Sequence, residues 1–506
     1  MLSIVLCLFE SLTLSGSRKI VDKGNARRVA SLVGTDLRER GKALICTFSH
    51  GGQMEAEMKQ LLIIGGSDAG ISAALRAREI SASVEPTVVV ADSFPNFSIC
   101  GLPFYLSGEV SDWQALAHRT RRDIEGAGVH LMLSHSAIAI DPNRKIVLVK
   151  DSDGRATKRS YDRLIIGTGA VSVKPSIEGI DLPGVFLLRW MEDSFAVHRY
   201  ISDRRPQSAV VVGGGYIGME MADALSRRGM SVTVVEIADT VLTTVDKPLG
   251  EAVAAELQRN GVKVAVGVGI ESIAVRGNSL SVKGTKGFSI TTDLVLVAVG
   301  CRPSASLAAN AGIEIGLKGA IKVNRQMETN VSDIYAAGDC VETWHHLLQN
   351  YAYLPLGTTA HKQGRIAGEN AVGGNREYAG SLGTQVVKIF DLVAARTGLR
   401  DDSAQEAGFD PFTSQMEAWD HKVYYPGAET MTIRITGDRR SGRLLGAQIV
   451  GSHRSEISKR IDIFATALFN DMTVEELSDL DLSYTPPLSS PWDPVQIAAQ
   501  SWCKQN

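Results

Sequence analysis

Apolar residues in this chain fall into short, unbroken runs that stop at glycine. Leu61-Leu62-Ile63-Ile64 and Ser208–Val212 are the cleanest, and Tyr161–Ala170, Asp293–Pro303 and Asn330–Cys340 end the same way. Runs without polar alternation predict strands buried on both faces, as in a parallel sheet. After the first two runs come helical stretches, Ile71–Ile80 and Met219–Arg228, and then second strands, Thr87–Ala91 and Ser231–Val235. Each second strand is closed by an acid, Asp92 in the first case and Glu236 in the second. Strand, glycine turn, helix, strand and acid is the βαβ pattern of a dinucleotide site, and it occurs twice.

The turns carry the chemistry. Gly65-Gly66-Ser67-Asp68-Ala69-Gly70 and Gly213-Gly214-Gly215-Tyr216-Ile217-Gly218 each lead from a strand into a helix. Backbone N–H groups and the helix N-terminus there can hold a pyrophosphate, and the terminal carboxylate can bond ribose hydroxyls. The second turn satisfies GxGxxG in full, whereas Ser67 replaces the middle glycine of the first. One such turn is often ordinary structure; two with matching strands, helices and acids are not. Glu236 would repel a 2′-phosphate, so the second site favours NADH, with NADPH as the alternative. Gly169 and Gly300 close strands suited to chain crossings between the two units.

Composition narrows the class. Glycine, at 49 of 506 residues, is about 10% of the chain and above the usual share. With 53 basic and 56 acidic residues the net charge is −3, which argues against nucleic acid as a partner. The 6 cysteines include no CxxC pair, so neither a metal centre nor a disulfide framework is expected, and a reducing, cytoplasmic setting follows. The opening stretch MLSIVLCLFE lacks a basic flank and is interrupted by Glu10, a weak signal or anchor. No other segment has the length and apolarity of a membrane span. Residues 1–57 are therefore expected to form an extension outside the folded unit.

The motif order resembles the pyridine nucleotide-disulfide oxidoreductases. That resemblance implies FAD in the first unit, NAD(P)H in the second, and a C-terminal dimerisation domain. The implied architecture is α/β: two Rossmann-like domains (FAD, residues 59–169 and 296–372; NAD, 170–295) followed by an α+β dimerisation domain at 373–500. It further implies that Asp92 meets the FAD adenosine ribose and that Asp339, after Gly338, meets the ribityl or pyrophosphate portion.

Within the family, Ser98-Ile99-Cys100-Gly101-Leu102-Pro103 resembles the single-cysteine branch, since Tyr105 stands where relatives carry a second cysteine. This branch holds coenzyme A disulfide reductases, NADH oxidases, NADH peroxidases and persulfide reductases. Cys100 is expected before a helix over Pro103–Gly108, whose N-terminus would favour the thiolate. The first glycine turn has no histidine, which disfavours peroxidase chemistry. Tyr424-Tyr425-Pro426-Gly427 and Tyr484-Thr485-Pro486-Pro487 resemble segments of coenzyme A disulfide reductases whose tyrosines reach the other subunit's cysteine. Ile99 departs from the Asn frequent before that cysteine. Arg76, Arg119 and Arg122 are candidate cations for substrate phosphates. The resemblance thus implies a homodimeric, FAD-dependent reductase of a disulfide or persulfide, with coenzyme A disulfide foremost. An NADH oxidase and a non-catalytic NADH-sensing flavoprotein are the alternatives.

Overall fold

The computed structural model describes residues 60–506, and the expectation for residues 1–57 lies outside the described residues. Strand β1, Leu61–Ile64, is buried at every position, as its unbroken apolar run requires. Helix α1, Asp68–Ile80, follows the glycine turn, and β2, Pro86–Val89, pairs parallel with β1. Past β2 lies helix α2, Leu102–Ser107, ended by Gly108 in the left-handed region at φ +89°. The complete parallel sheet runs Ile334–Ala336, Arg163–Ile166, β1, β2, His130–Met132. Its first member comes from far along the chain, after the second unit has been completed.

The second unit repeats the plan. Strand β3 is Ser208–Val212, helix α3 is Tyr216–Arg227 and strand β4 is Ser231–Glu236. Their parallel sheet runs Lys263–Val266, β4, β3, Leu294–Val297, Val185–Leu187. The crossings suspected at Gly169 and Gly300 meet, because Ala170–Ser172 pairs antiparallel with Cys301–Pro303. Two apolar clusters fill the units, one around Ile63, Ile71 and Ile165, the other around Val211, Met219 and Leu296.

Helix α4, Gly357–Ala371, lies against α1 at very close range. A Cβ on Gly364 would sit 2.2 Å from the Ala69 carbonyl oxygen, and one on Gly368 would sit 2.1 Å from that of Ala73. Only glycine lets the backbones approach so closely. Beyond α4, five antiparallel strands form the last sheet, in the order 385–389, 392–398, 444–452, 430–438, 411–419. Helices Ile457–Phe469 and Pro494–Gln505 cover it, with Phe464 and Trp502 in its core. This layer also grips the second unit: Arg396 and Arg400 donate to the Thr244 and Thr243 carbonyls, and Asp246 accepts from Arg434 and Gln448. The α/β architecture with a C-terminal α+β layer matches the expectation. No helix among the described residues is long and apolar enough to cross a membrane.

Candidate active site

Both glycine turns are shaped for close backbone approach. At Gly65, φ is +113° and a Cβ would lie 2.0 Å from the Gly167 carbonyl oxygen; at Gly213, φ is +109° and the distance to the Ala298 oxygen is 2.4 Å. In the first turns of their helices Gly70 and Gly218 lie as close, a Cβ there falling 1.8 and 2.0 Å from the carbonyl oxygens of Gly65 and Gly213. Ser67, the N-cap of α1, is extended and makes no side-chain cap bond, so its turn leaves first-turn N–H groups free for an anion. Ala69 is buried beneath that turn, while Ile217 is surface-exposed on the second. Around Gly215, and around Gly169 and Gly300, a Cβ would meet nothing within 4 Å, which leaves room for a ligand.

The acids differ between the units. Glu236 accepts from the Gly214 N–H at 2.5 Å and from the Ala238 N–H at 2.8 Å, so its carboxylate is fixed beside the second turn. The matching position in the first unit belongs to Val90, whose Cγ2 would be 2.6 Å from a Cβ on Gly66. Asp92, read from sequence as the counterpart of Glu236, stands two residues farther on. There it accepts from the Phe94 N–H at 2.8 Å and borders a polar cleft of about 550 Å³ with Ser93, Ser134 and Glu192. Burial pushes its carboxyl above the ordinary value, with the Phe94 N–H opposing.

Gly338 packs on α1, and Asp339 next to it forms a half-buried ion pair with Arg189 at 2.6 Å. Arg189 was not singled out by the sequence, where it is one arginine in Leu187-Leu188-Arg189-Trp190 without a motif. Its Nε is buried and, among the described residues, makes no hydrogen bond. An unpaired guanidinium N–H at this place suits an anionic or carbonyl group of a bound cofactor.

Cys100 lies in a short 3₁₀ turn, Ile99–Gly101, directly before α2. It is exposed and unpaired, as are Cys301, Cys340 and Cys503 in having no disulfide. Its surroundings correct the expectation of a thiolate favoured by helix geometry. Crowding by neighbouring atoms pushes the thiol above its ordinary value, Glu220 and then Asp68 add to the rise, and Arg189 opposes them. With only six residues in α2, its N-terminus is a weak source of field. Glu220, on α3, is a residue that motif reading missed, and burial pushes its carboxyl up to about 7. Tyr105, in place of a second cysteine, is buried and stacks on His198 with centroids 5.0 Å apart.

Helices α1 and α4 are laced by polar contacts. The Ser72 hydroxyl meets His361 Nδ1 at 2.9 Å, Arg76 pairs with Glu369 at 2.7 Å, and Arg365 pairs with Glu79 at 3.2 Å. Arg76 also pairs with Glu79, so two carboxylates already neutralise this candidate phosphate cation. Arg119 and Arg122 are exposed near Asp123. The two tyrosine segments come together, with the Lys422 N–H donating to the Pro486 carbonyl at 3.3 Å and Tyr424 facing Tyr484. Tyr425 packs by its edge on His421, and both Tyr425 and Tyr484 are exposed.

Two glycine cradles, an anchored acid and an arginine whose Nε is left without a partner fit dinucleotide cofactors. The pyridine nucleotide-disulphide oxidoreductase model matches residues 59–364, and the dimerisation-domain model of the same family matches residues 384–494. This chain belongs to that family. Its family uses FAD and NAD(P)H, and the chain is an FAD-dependent oxidoreductase of this type. An NADH oxidase from Methanocaldococcus jannaschii is 33% identical over 88% of this chain and 98% of its own length. The CoA-dependent NAD(P)H sulfur oxidoreductase of Pyrococcus abyssi is also 33% identical, over 87% of this chain and 98% of its own. The solved NAD-dependent persulfide reductase from A. fulgidus is 35% identical with a TM-score of 0.85, covering 88% of this chain and 83% of its own.

Proposed function

We propose that the protein reduces a disulfide or persulfide through Cys100 with NAD(P)H as electron source, coenzyme A disulfide being the foremost substrate. The observation that carries this reading is the position of Cys100. Its thiol is exposed and free, yet it feels Asp68 and Asp339 from the first unit and Glu220 from the second. The Cys100 thiolate attacks one substrate sulfur; a Cys100–sulfur bond forms, the substrate S–S bond breaks, and the other half leaves as a thiolate that takes up a proton. FAD, when bound, supplies the means of passing two electrons from NAD(P)H to the oxidised sulfur. The Gly65–Gly70 turn, Arg189 and Asp339 would hold it, with Asp92 at its adenosine end. Gly213–Gly218 and Glu236 would hold NADH, and the fixed carboxylate disfavours a 2′-phosphate. Arg189 offsets part of the rise that crowding, Glu220 and Asp68 impose on the attacking thiol.

The chain acts as a homodimer in this reading. Tyr424 is 74% exposed, and Tyr484, Leu488 and Trp492 are exposed as well, all within the region matched by the dimerisation model. Tyr425 and Tyr484 would then serve the partner subunit's cysteine, their hydroxyls donating to the leaving thiolate. The unbridged cysteines among the described residues support a reducing, cytoplasmic setting.

The M. jannaschii relative, named for NADH oxidation, supports a second reading in which oxygen is reduced through a Cys100 sulfenate. Turnover of coenzyme A disulfide, polysulfide and oxygen on one preparation separates the two. Under the primary reading Cys100→Ser loses at least ~100-fold of its disulfide reduction while keeping flavin; full activity in that variant would sink the covalent mechanism.

A further inference from the structure

The first glycine turn gathers two histidines that the sequence holds far apart. Asp68 opens α1, His118 follows the 3₁₀ turn Trp113–Leu116, and His361 lies one turn before Gly364 on α4. One ligand atom from each lies within 4.8 Å of the other two. His361 Nε2 is 3.3 Å from Asp68 Oδ1, and His118 Nε2 is 4.0 Å from the same oxygen. With bonds near 2.0 Å, ligand atoms around a tetrahedral zinc lie about 3.3 Å apart. The Asp68–His361 edge already has that length, and His118, on an exposed loop, needs only a small closing movement.

Two further observations point to a cation. Asp68 Oδ1 is shielded from solvent and, among the described residues, accepts no hydrogen bond. A shielded carboxylate oxygen left without a donor is costly, and a metal ion would satisfy it. The Ser72 hydroxyl engages His361 Nδ1 at 2.9 Å, which turns Nε2 toward Asp68. Such an outer partner is how metal-binding imidazoles are oriented. The close α1–α4 packing at Gly364 and Gly368 makes the Asp68–His361 edge a consequence of the fold, with His118 supplied by the neighbouring surface loop.

We propose that Asp68, His118 and His361 form a binding site for a divalent transition cation of the zinc class, beside the Cys100 centre. Two imidazoles and one carboxylate suit Zn²⁺ and its neighbours better than Mg²⁺ or Ca²⁺, which prefer all-oxygen sets. Three protein ligands leave one position open to water or to a thiolate.

The test is a Zn²⁺ titration of full-length, FAD-loaded protein against a chromophoric chelator, paired with Co²⁺ absorption spectra. Wild type and Cys100→Ser are expected to bind one Zn²⁺ per chain with equal affinity. His118→Ala and His361→Ala are expected to bind it at least about tenfold more weakly. Flavin content and thermal melting report whether each variant is folded, and His118→Ala, on a surface loop, keeps the test valid if His361→Ala unfolds. Binding that survives unchanged in a folded His118→Ala variant overturns the proposal. So does binding lost in Cys100→Ser with a thiolate-to-cobalt band in wild type, since the cysteine would then be the ligand.

Discussion

The two glycine turns solve one backbone problem with different side chains. Both place glycine where a Cβ would strike a carbonyl oxygen, and both start a helix over the next glycine. Three residues after the first glycine, the first unit carries Asp68 and the second Tyr216; four residues later these become Ser72 and Glu220. Positions four apart share a helix face, so each helix presents a polar pair on one side. After crowding, Glu220 and then Asp68 push the Cys100 thiol up, so a carboxylate from each unit bears on one sulfur. Opposite the second glycine the units diverge again, with Val90 in the first and Glu236 in the second. Backbone shape is therefore common to both sites, while the polar contacts that choose and use each cofactor are not.

The largest expected effect tests the shared part. Gly65→Ala and Gly213→Ala each drive a methyl into a backbone oxygen at a left-handed position, and each should cost about 4 kcal/mol or leave no folded holoenzyme. Thermal unfolding and flavin content report this, and a harmless Gly65→Ala would mean the first turn is looser than its partner.

Glu220 offers the next test. Its carboxyl is pushed up from 4.5 to about 7 by burial, so the folded chain keeps a proton that the unfolded chain releases. Stability from this group is full below pH 4.5 and falls as pH rises through about 7. Glu220→Gln should remove up to about 3 kcal/mol of that slope in denaturant titrations across the window. It should also move Cys100 alkylation to lower pH, because one of the carboxylates opposing the thiolate is gone. An unchanged alkylation profile would detach the second unit from the cysteine.

A smaller change concerns the acids. Glu236→Ala frees the Gly214 N–H and should raise KM for NADH about tenfold, or ~1.4 kcal/mol, while NADPH suffers less. Equal losses for both nucleotides would show that Glu236 shapes the turn instead of reading the ribose. Asp92→Ala should weaken FAD retention only about fivefold, the scale of one lost hydrogen bond. A loss as large as that of Glu236→Ala would make the two acids equivalent despite their different placement.

Much of the fold was legible because buried parallel strands leave unbroken apolar runs and pyrophosphate turns need glycine at fixed spacing. Ser208–Val212 appears as a strand with the bounds read from sequence, and α2 falls within one residue of its expected span. Asp92 is the nearest acid to the end of its strand, yet Val90 and not Asp92 stands where Glu236 does. Strand β2 ends at Val89, so the chain passes Gly66 at Val90, and no pattern of residue types marks that register. Arg189, Glu220 and the histidines beside Asp68 were invisible for a related reason. They act from separate elements, and nothing local in sequence records who faces whom.

By itself, then, the sequence determined the two nucleotide units, their order, the place of the candidate cysteine Cys100 before its helix and the family likeness, since each depends on local spacing along one segment. Only the tertiary structure decided the charge around Cys100, the pairing of Arg189 with Asp339, and the meeting of Asp68 with His118 and His361. The polar contacts between α1 and α4 likewise join residues up to 293 positions apart, as Arg76 joins Glu369. The Asp68–His361 contact exists because glycines on α4 let it settle against α1, and packing of that kind is a property of two surfaces rather than of either sequence segment.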